Sequence, residues 1–416
     1  MTEVRIPQNW LFNSNTFARG FSDPRAEGVA TYSVIGADTY SSKAGSKTPI
    51  KITCDSNSVS FVLQKLLLQM DISLCNADGS PAAPGAALKN TFLGLDAFIK
   101  TLTIKAGGQT VEQIDDWPSY CATTYKNLPL GQKKLLSQMT GYGNTSVFAT
   151  SSSVTSNWHP LISFFHSSLG QYLSPWSLPN QAMEIIFTLN DPSQIFTAST
   201  VAEYRISNNT CFIPYITPPP EIVIQATRAI ANGQSLYYDY MRTRQTDAPC
   251  SGARRNMFLF YMSGVRSLAN TEFFFIDDNV TADPSKDKAL SFSSQNLNQF
   301  WYQLGPGLTI PNGTQGFKHS ATNSQALLLS ALSNNNFEQL GDIDIDFSLF
   351  DSQQFSIPYS FQSTDEANNA ALSFQGSDGL FRIITEHSSA PSPVVKMVLQ
   401  YRENVTLSIG QTVAVI

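Results

Sequence analysis

Residues Tyr215–Gln225 read YITPPPEIVIQ. Three consecutive prolines, Pro218, Pro219 and Pro220, separate a strand-like run from a helix-like one. Proline lacks a backbone donor and holds the residue before it extended, so a strand cannot continue through this corner. Upstream, EYRISNNTCFIPYI reads as the last strand of one unit. Downstream, PPPEIVIQATRAIANG reads as a helix. Proline opens it, Glu221 lies in its first turn and Asn232-Gly233 closes it. Its apolar set Ile222, Val223, Ala226 and Ile230 falls on one face. SLYYDYMRT then begins a second unit.

A corner near the midpoint suits a chain of 416 residues. Single cores stop growing at roughly 250–300 residues, so two domains of about 200 each are expected. The boundaries read as an arm at 1–25, a first unit at 26–217, a linker and short helix at 218–234, and a second unit at 235–416. The arm lacks strand periodicity and an apolar h-region, so it does not read as a signal peptide. No run of about 18 apolar residues reads as a membrane span.

Alternation of period two dominates both units, the mark of an all-β chain. MEIIFTL puts Met183, Ile185, Phe187 and Leu189 on one face and Glu184, Ile186 and Thr188 on the other. IKTLTIKAGGQTV reads as a hairpin about Gly107-Gly108. NMFLFYMSGV, EFFFIDD and the terminal run SPVVKMVLQYRENVTLSIGQTVAVI add further strands. Two other helices are legible. DDWPSYCATTYKNL has an acidic cap before Trp117-Pro118, and GQKKLLSQMTG ends on Gly141. The halves also echo one another: LGLDAFIKTLTIKAGGQTV is similar to QNLNQFWYQLGPGLTIPNG, with Asp96 and Asn298 as matching turn residues. Tandem sandwiches fit this echo better than one large barrel.

Composition narrows the function. Charged residues are 14% of the chain, against about 25% in an average protein. A surface of neutral polar side chains packs against copies of itself with little charge desolvation. The net charge of −6 argues against bulk binding of nucleic acid. Cys54, Cys75, Cys121, Cys211 and Cys250 are odd in number and widely spaced, which fits buried thiols in a reducing compartment better than disulfides or zinc.

In order along the chain, four stretches resemble one family. They are FIKTLTIKAGGQTVEQIDDWPSYCATTYKNLPLGQKKLLSQMTG, FFHSSLGQYLSPWSLPNQAMEIIFTLNDPSQIF, YRISNNTCFIPYITPPPEIVIQATRAIANGQ and NLNQFWYQLGPGLTIP. The chain resembles the double jelly-roll major capsid proteins of the adenovirus-like lineage, most of all those of polinton-like viruses, virophages and adintoviruses. The resemblance implies two tandem eight-stranded jelly rolls with a few short helices in the loops. It implies homotrimers of pseudo-hexagonal outline that tile an icosahedral shell, and a place in the virion, assembled inside the host cell. Implied partners are other copies of the chain, penton and minor capsid proteins, and an internal membrane or the genome reached through the arm. No cofactor is implied.

Local chemistry is sparse. GDIDIDFSLFD places Asp342, Asp344 and Asp346 on one face of a strand. The row reads as a Ca²⁺-type cation site or as a solvated edge face that resists wrong pairing. His159, His166, His319 and His387 are scattered and form no metal motif. Arg254-Arg255 reads as a solvated turn pair or as a contact to genome or an acidic neighbour. Phe300 and Tyr302 read as core on one face of FWYQL, with Trp301 on the other. Two other classes fit less well: a two-jelly-roll enzyme acting on glycans, which would need the Asp342–Asp346 row as its carboxylates, and a sugar-binding spike.

Overall fold

A computed structural model describes residues 27–33, 39–41, 49–55, 59–89, 93–144, 146–166, 174–179, 182–197, 201–218, 220–262, 264–277, 292–305, 308–320, 355–361 and 379–415. The arm at 1–25 and the Asp342, Asp344 and Asp346 row lie outside the described residues.

Eight principal strands precede the proline corner. They are β1 Glu27–Ser33, β2 Ile50–Asp55, β3 Leu67–Cys75, β4 Ile99–Ala106, β5 Gln109–Ile114, β6 Ser153–Trp158, β7 Ala182–Leu189 and β8 Glu203–Ile216. Eight more follow it: β9 Leu236–Pro249, β10 Arg255–Tyr261, β11 Leu268–Asp277, β12 Leu297–Leu304, β13 Leu308–Ile310, β14 Ile357–Ser360, β15 Leu380–His387 and β16 Val395–Ile409. The first set makes two antiparallel sheets of order β1-β8-β3-β6 and β2-β7-β4-β5. The second set makes β9-β16-β11-β14 and β10-β15-β12-β13. Adding eight to each first-unit strand number reproduces the second-unit order. The units therefore share one non-sequential topology, and among the described residues no sheet joins strands across the corner.

Local chemistry explains these elements. On β7 the burial alternates strictly, with Met183, Ile185, Phe187 and Leu189 inside. The β4–β5 hairpin turns at Gly107 (φ 57°) and Gly108 (φ 88°), the left-handed pair that a primed turn demands. Helix α1, Trp117–Tyr125, is capped by Asp116, which accepts from the Ser119 backbone N–H at 3.3 Å. Helix α2, Leu130–Thr140, ends on left-handed Gly141. After two four-residue helices, α3 (Ser163–His166) and α4 (Pro192–Ile195), the corner helix α5 spans Pro220–Ala231. Val223, Ala226 and Ile230 turn it onto the core.

The echoed stretches fall on the same hairpin of the two units, β4–β5 and β12–β13. Each unit builds its own aromatic centre. Phe98 meets Tyr204 and Phe196 edge-on in the first. Phe273 meets Phe300 and Phe275 in the second. Phe300 and Tyr302 are core, and Trp301 faces the opposite side of the sheet.

Gly94 shows how tightly the first unit closes. Its φ is 56°, and a Cβ there would lie 2.3 Å from the Thr140 carbonyl oxygen at the end of α2. Both partners are backbone, so neither can swing away. Gly94→Ala is expected to cost about 2–3 kcal/mol through strain and overpacking, read as a lower urea midpoint; an unchanged midpoint refutes the account.

A polar seam between two jelly rolls

The polar residues converge where the two units meet. Strand β5 is an edge of its sheet and β9 is an edge of another. Their unpaired backbone groups need partners, and side chains supply them. Tyr240 donates its hydroxyl to the Val111 carbonyl at 2.6 Å. The Thr243 N–H donates to Glu112 Oε1 at 2.9 Å. Gln245 receives the Asp116 N–H at 3.0 Å and returns a bond to the Asp116 carbonyl at 3.2 Å. Over the face of the second unit, Gln400 donates to Thr123 Oγ1 at 3.3 Å, and Lys126 Nζ lies 3.0 Å from Glu272 Oε1. Phe164 meets the Tyr240 ring edge-on, with centroids 5.2 Å apart.

Charge is unevenly shared along this seam. Glu403 is buried, and its Oε1 accepts from Arg242 Nε at 2.8 Å, Arg242 Nη2 at 2.6 Å and Arg244 Nε at 3.2 Å. Both guanidiniums are therefore turned to Glu403. Glu112 is only 2% exposed, and its Oε2 has no hydrogen-bond partner. Burial pushes its carboxyl up to about 8, against the pull of the Thr243 N–H and the two arginines. Glu112 is thus held neutral near pH 7. A polar cleft of about 480 Å³ opens beside it, lined by Gln113, Asp115, Arg242, Arg244 and Val415 among others.

Inside the first unit lies a second buried carboxylate. Asp96 sits in the 3-10 turn Gly94–Phe98. Its Oδ1 accepts the indole N–H groups of Trp158 at 2.5 Å and Trp117 at 3.1 Å, and Oδ2 accepts the Tyr125 hydroxyl at 2.8 Å. This corrects the matching of Asp96 with Asn298 as turn residues. Asp96 is fully buried, whereas Asn298 is exposed on β12. The signal was present in the two tryptophans and the tyrosine, whose donors need a buried acceptor, but no spacing rule joins them.

The other singled-out residues stay apart. His159 Nδ1 is 2.6 Å from the Leu66 carbonyl oxygen. His387 is held between Thr385 Oγ1 and the Gln295 carbonyl, both at 2.9 Å, and burial lowers its pKa. His319 lies edge-on to Phe355. His166 closes α3, in the other unit. Among the described residues no group of three His, Cys, Asp or Glu could hold a metal ion. All five cysteines are buried and free. Arg254 is exposed, and the Arg255 guanidinium lies 5.8 Å from the centre of the Trp301 ring.

No family model and no curated protein sequence matches the chain. Solved structures do. PBCV-1 VP54 aligns over 95% of this chain and 98% of its own, with a TM-score of 0.60 and 11% identity. The Faustovirus major capsid protein aligns over 94% and 92%, with a TM-score of 0.55 and 10% identity. The mavirus major capsid protein aligns over 100% and 95%, with a TM-score of 0.50 and 10% identity. The chain is a double jelly roll. As a double jelly roll it has two sandwiches of identical strand order, and the seam above is the contact between them.

Proposed function

We propose that the protein is a structural major capsid protein. The observation that carries the reading is the repeated strand order of two units pinned together by a buried polar seam. Two like units fixed side by side in one chain make three chains a ring of six like corners. Such a ring is a pseudo-hexagonal capsomer, and hexagonal tiles cover an icosahedral shell. The structural neighbours that share the fold over nearly their whole length are capsid proteins of large DNA viruses and virophages, which supports the same role here. In this reading the chain divides into an arm at 1–25, jelly rolls at 26–217 and 235–416, and a linker with its helix at 218–234. Its partners are other copies of itself in the virion, with penton and minor proteins at special positions and a membrane or genome beneath the arm.

Light scattering after gel filtration tests this directly. The expected mass is three times the 45.6 kDa of the chain, with hexagonal particles in electron micrographs. A stable monomer at all concentrations overturns the reading.

A further inference from the structure

The outer face of the β10-β15-β12-β13 sheet is apolar along its edge strand β10, where the fold does not require it. Along β10 the side chains alternate: Asn256, Phe258 and Phe260 turn inward, while Arg255, Met257, Leu259 and Tyr261 turn outward. Met257 is 64% exposed, Leu259 38% and Tyr261 75%. On β15, Ile384 stands opposite Met257 and Leu380 opposite Tyr261, both half-buried. On β12, Trp301 stands opposite Ile384. One exposed apolar row thus runs along β10, flanked on β15 by half-buried Ile384 and Leu380 with Arg382 between them, while Trp301 on β12 is itself buried.

The first unit shows that this face is not needed for folding. Strand β2 occupies the same place in its sheet and turns Lys51, Thr53 and Asp55 outward. Lys51 pairs with Glu184 of β7 at 2.5 Å. A polar outer face serves that position equally well. Leaving Met257, Leu259 and Tyr261 in water gains nothing, whereas covering them releases the free energy of apolar burial.

Two properties of the patch identify what covers it. The first is size. A few exposed side chains make a patch of a few hundred Å², well short of the roughly 800 Å² per partner of a stand-alone interface. Such a contact holds only when it is repeated many times in one assembly. The second is charge. Arg254, Arg255 and Arg382 border the row, and a second copy of a chain with net charge −6 offers a surface acidic on balance. The intrachain seam engages β9, β11 and β16, all of the other sheet, so this face is left over after the units have joined.

We infer that the Met257–Leu259–Tyr261 face is a contact between copies of this chain in neighbouring capsomers. The inference rests on the capsid reading. The test is the full chain carrying Met257→Gln with Tyr261→Ser. Both side chains are exposed, so the variant is expected to keep the melting temperature and the capsomer mass of the wild type. Its threshold concentration for forming sheets or shells is expected to rise about tenfold or more. Peroxide oxidation of wild-type Met257, read by mass spectrometry, is expected to slow on assembly. Equal assembly with unprotected Met257 overturns the inference. A variant that falls apart into monomers also overturns it, because the face then lies within the capsomer. Wild-type protein that never grows beyond a fixed small oligomer removes the capsid reading itself.

Discussion

Asp96→Ala will lower the melting temperature by roughly 10 °C, or prevent folding altogether. The carboxylate ties together three elements: its own 3-10 turn, helix α1 through Trp117 and Tyr125, and strand β6 through Trp158. Alanine leaves three buried donors without an acceptor, each costing about 1–3 kcal/mol. A loss of about 4 kcal/mol in a unit of this size is a shift of roughly 8–16 °C. Asp96→Asn keeps the shape and one acceptor oxygen, and is expected to lose far less. It also carries a pH signature. Burial raises the Asp96 carboxyl to about 6, with the three donors only partly offsetting it. The folded chain therefore holds a proton that the unfolded chain releases. That contribution is complete below about pH 4 and is lost as pH rises through about 6. Asp96→Asn should flatten this part of the stability curve. An alanine variant that melts with the wild type would falsify the network as a structural tie.

The second large effect lies at the seam. Glu112→Gln is expected to stabilise the protein at alkaline pH by about 3–5 kcal/mol. Arg242 and Arg244 pair directly with Glu403, so their pull on Glu112 is weaker than the desolvation that opposes its charge. Its folded value of about 8 lies above the ordinary value of 4.5. The neutral form is thus favoured on folding. This stability is fully present below about pH 4.5 and lost as pH rises through about 8. Glutamine keeps the acceptor for the Thr243 N–H and cannot ionise. Melting curves at pH 5, 7 and 9 should show a gap between variant and wild type that opens with pH. Parallel curves, or a gap of the opposite sign, would mean that Glu112 is charged in the folded protein and that the seam supplies a counter-ion.

Much of the scaffold is legible in the sequence. The proline corner, the alternation of β7, the Gly107-Gly108 hairpin and the caps of α1 and α2 all depend on neighbours a few residues away. Backbone sterics and side-chain periodicity act at that range, so the sequence displays them directly. The echo between 93–111 and 295–313 also located equivalent hairpins, because the same strand pair needs the same turn chemistry twice. One pairing within that echo failed. Asp96 and Asn298 are both turn-forming types, and turn propensity cannot tell a solvated side chain from one enclosed by two indoles.

What the tertiary structure alone decided is which distant groups meet. Glu112 and Thr243 are 131 residues apart, and Gln400 and Thr123 are 277 apart. In the sequence Glu112 is one polar residue in an alternating run, with nothing to mark it as neutral. The strand order, the edge-to-edge meeting of β5 with β9 and the exposure of Met257 and Tyr261 follow from closing two sandwiches and docking them. The sequence by itself determined the strands, the corner and the two-unit plan, through local sterics and periodicity. Burial, and with it the charge state of each buried acid, is a property of the assembled layers, because desolvation depends on what is packed around a group rather than on what precedes it in the chain.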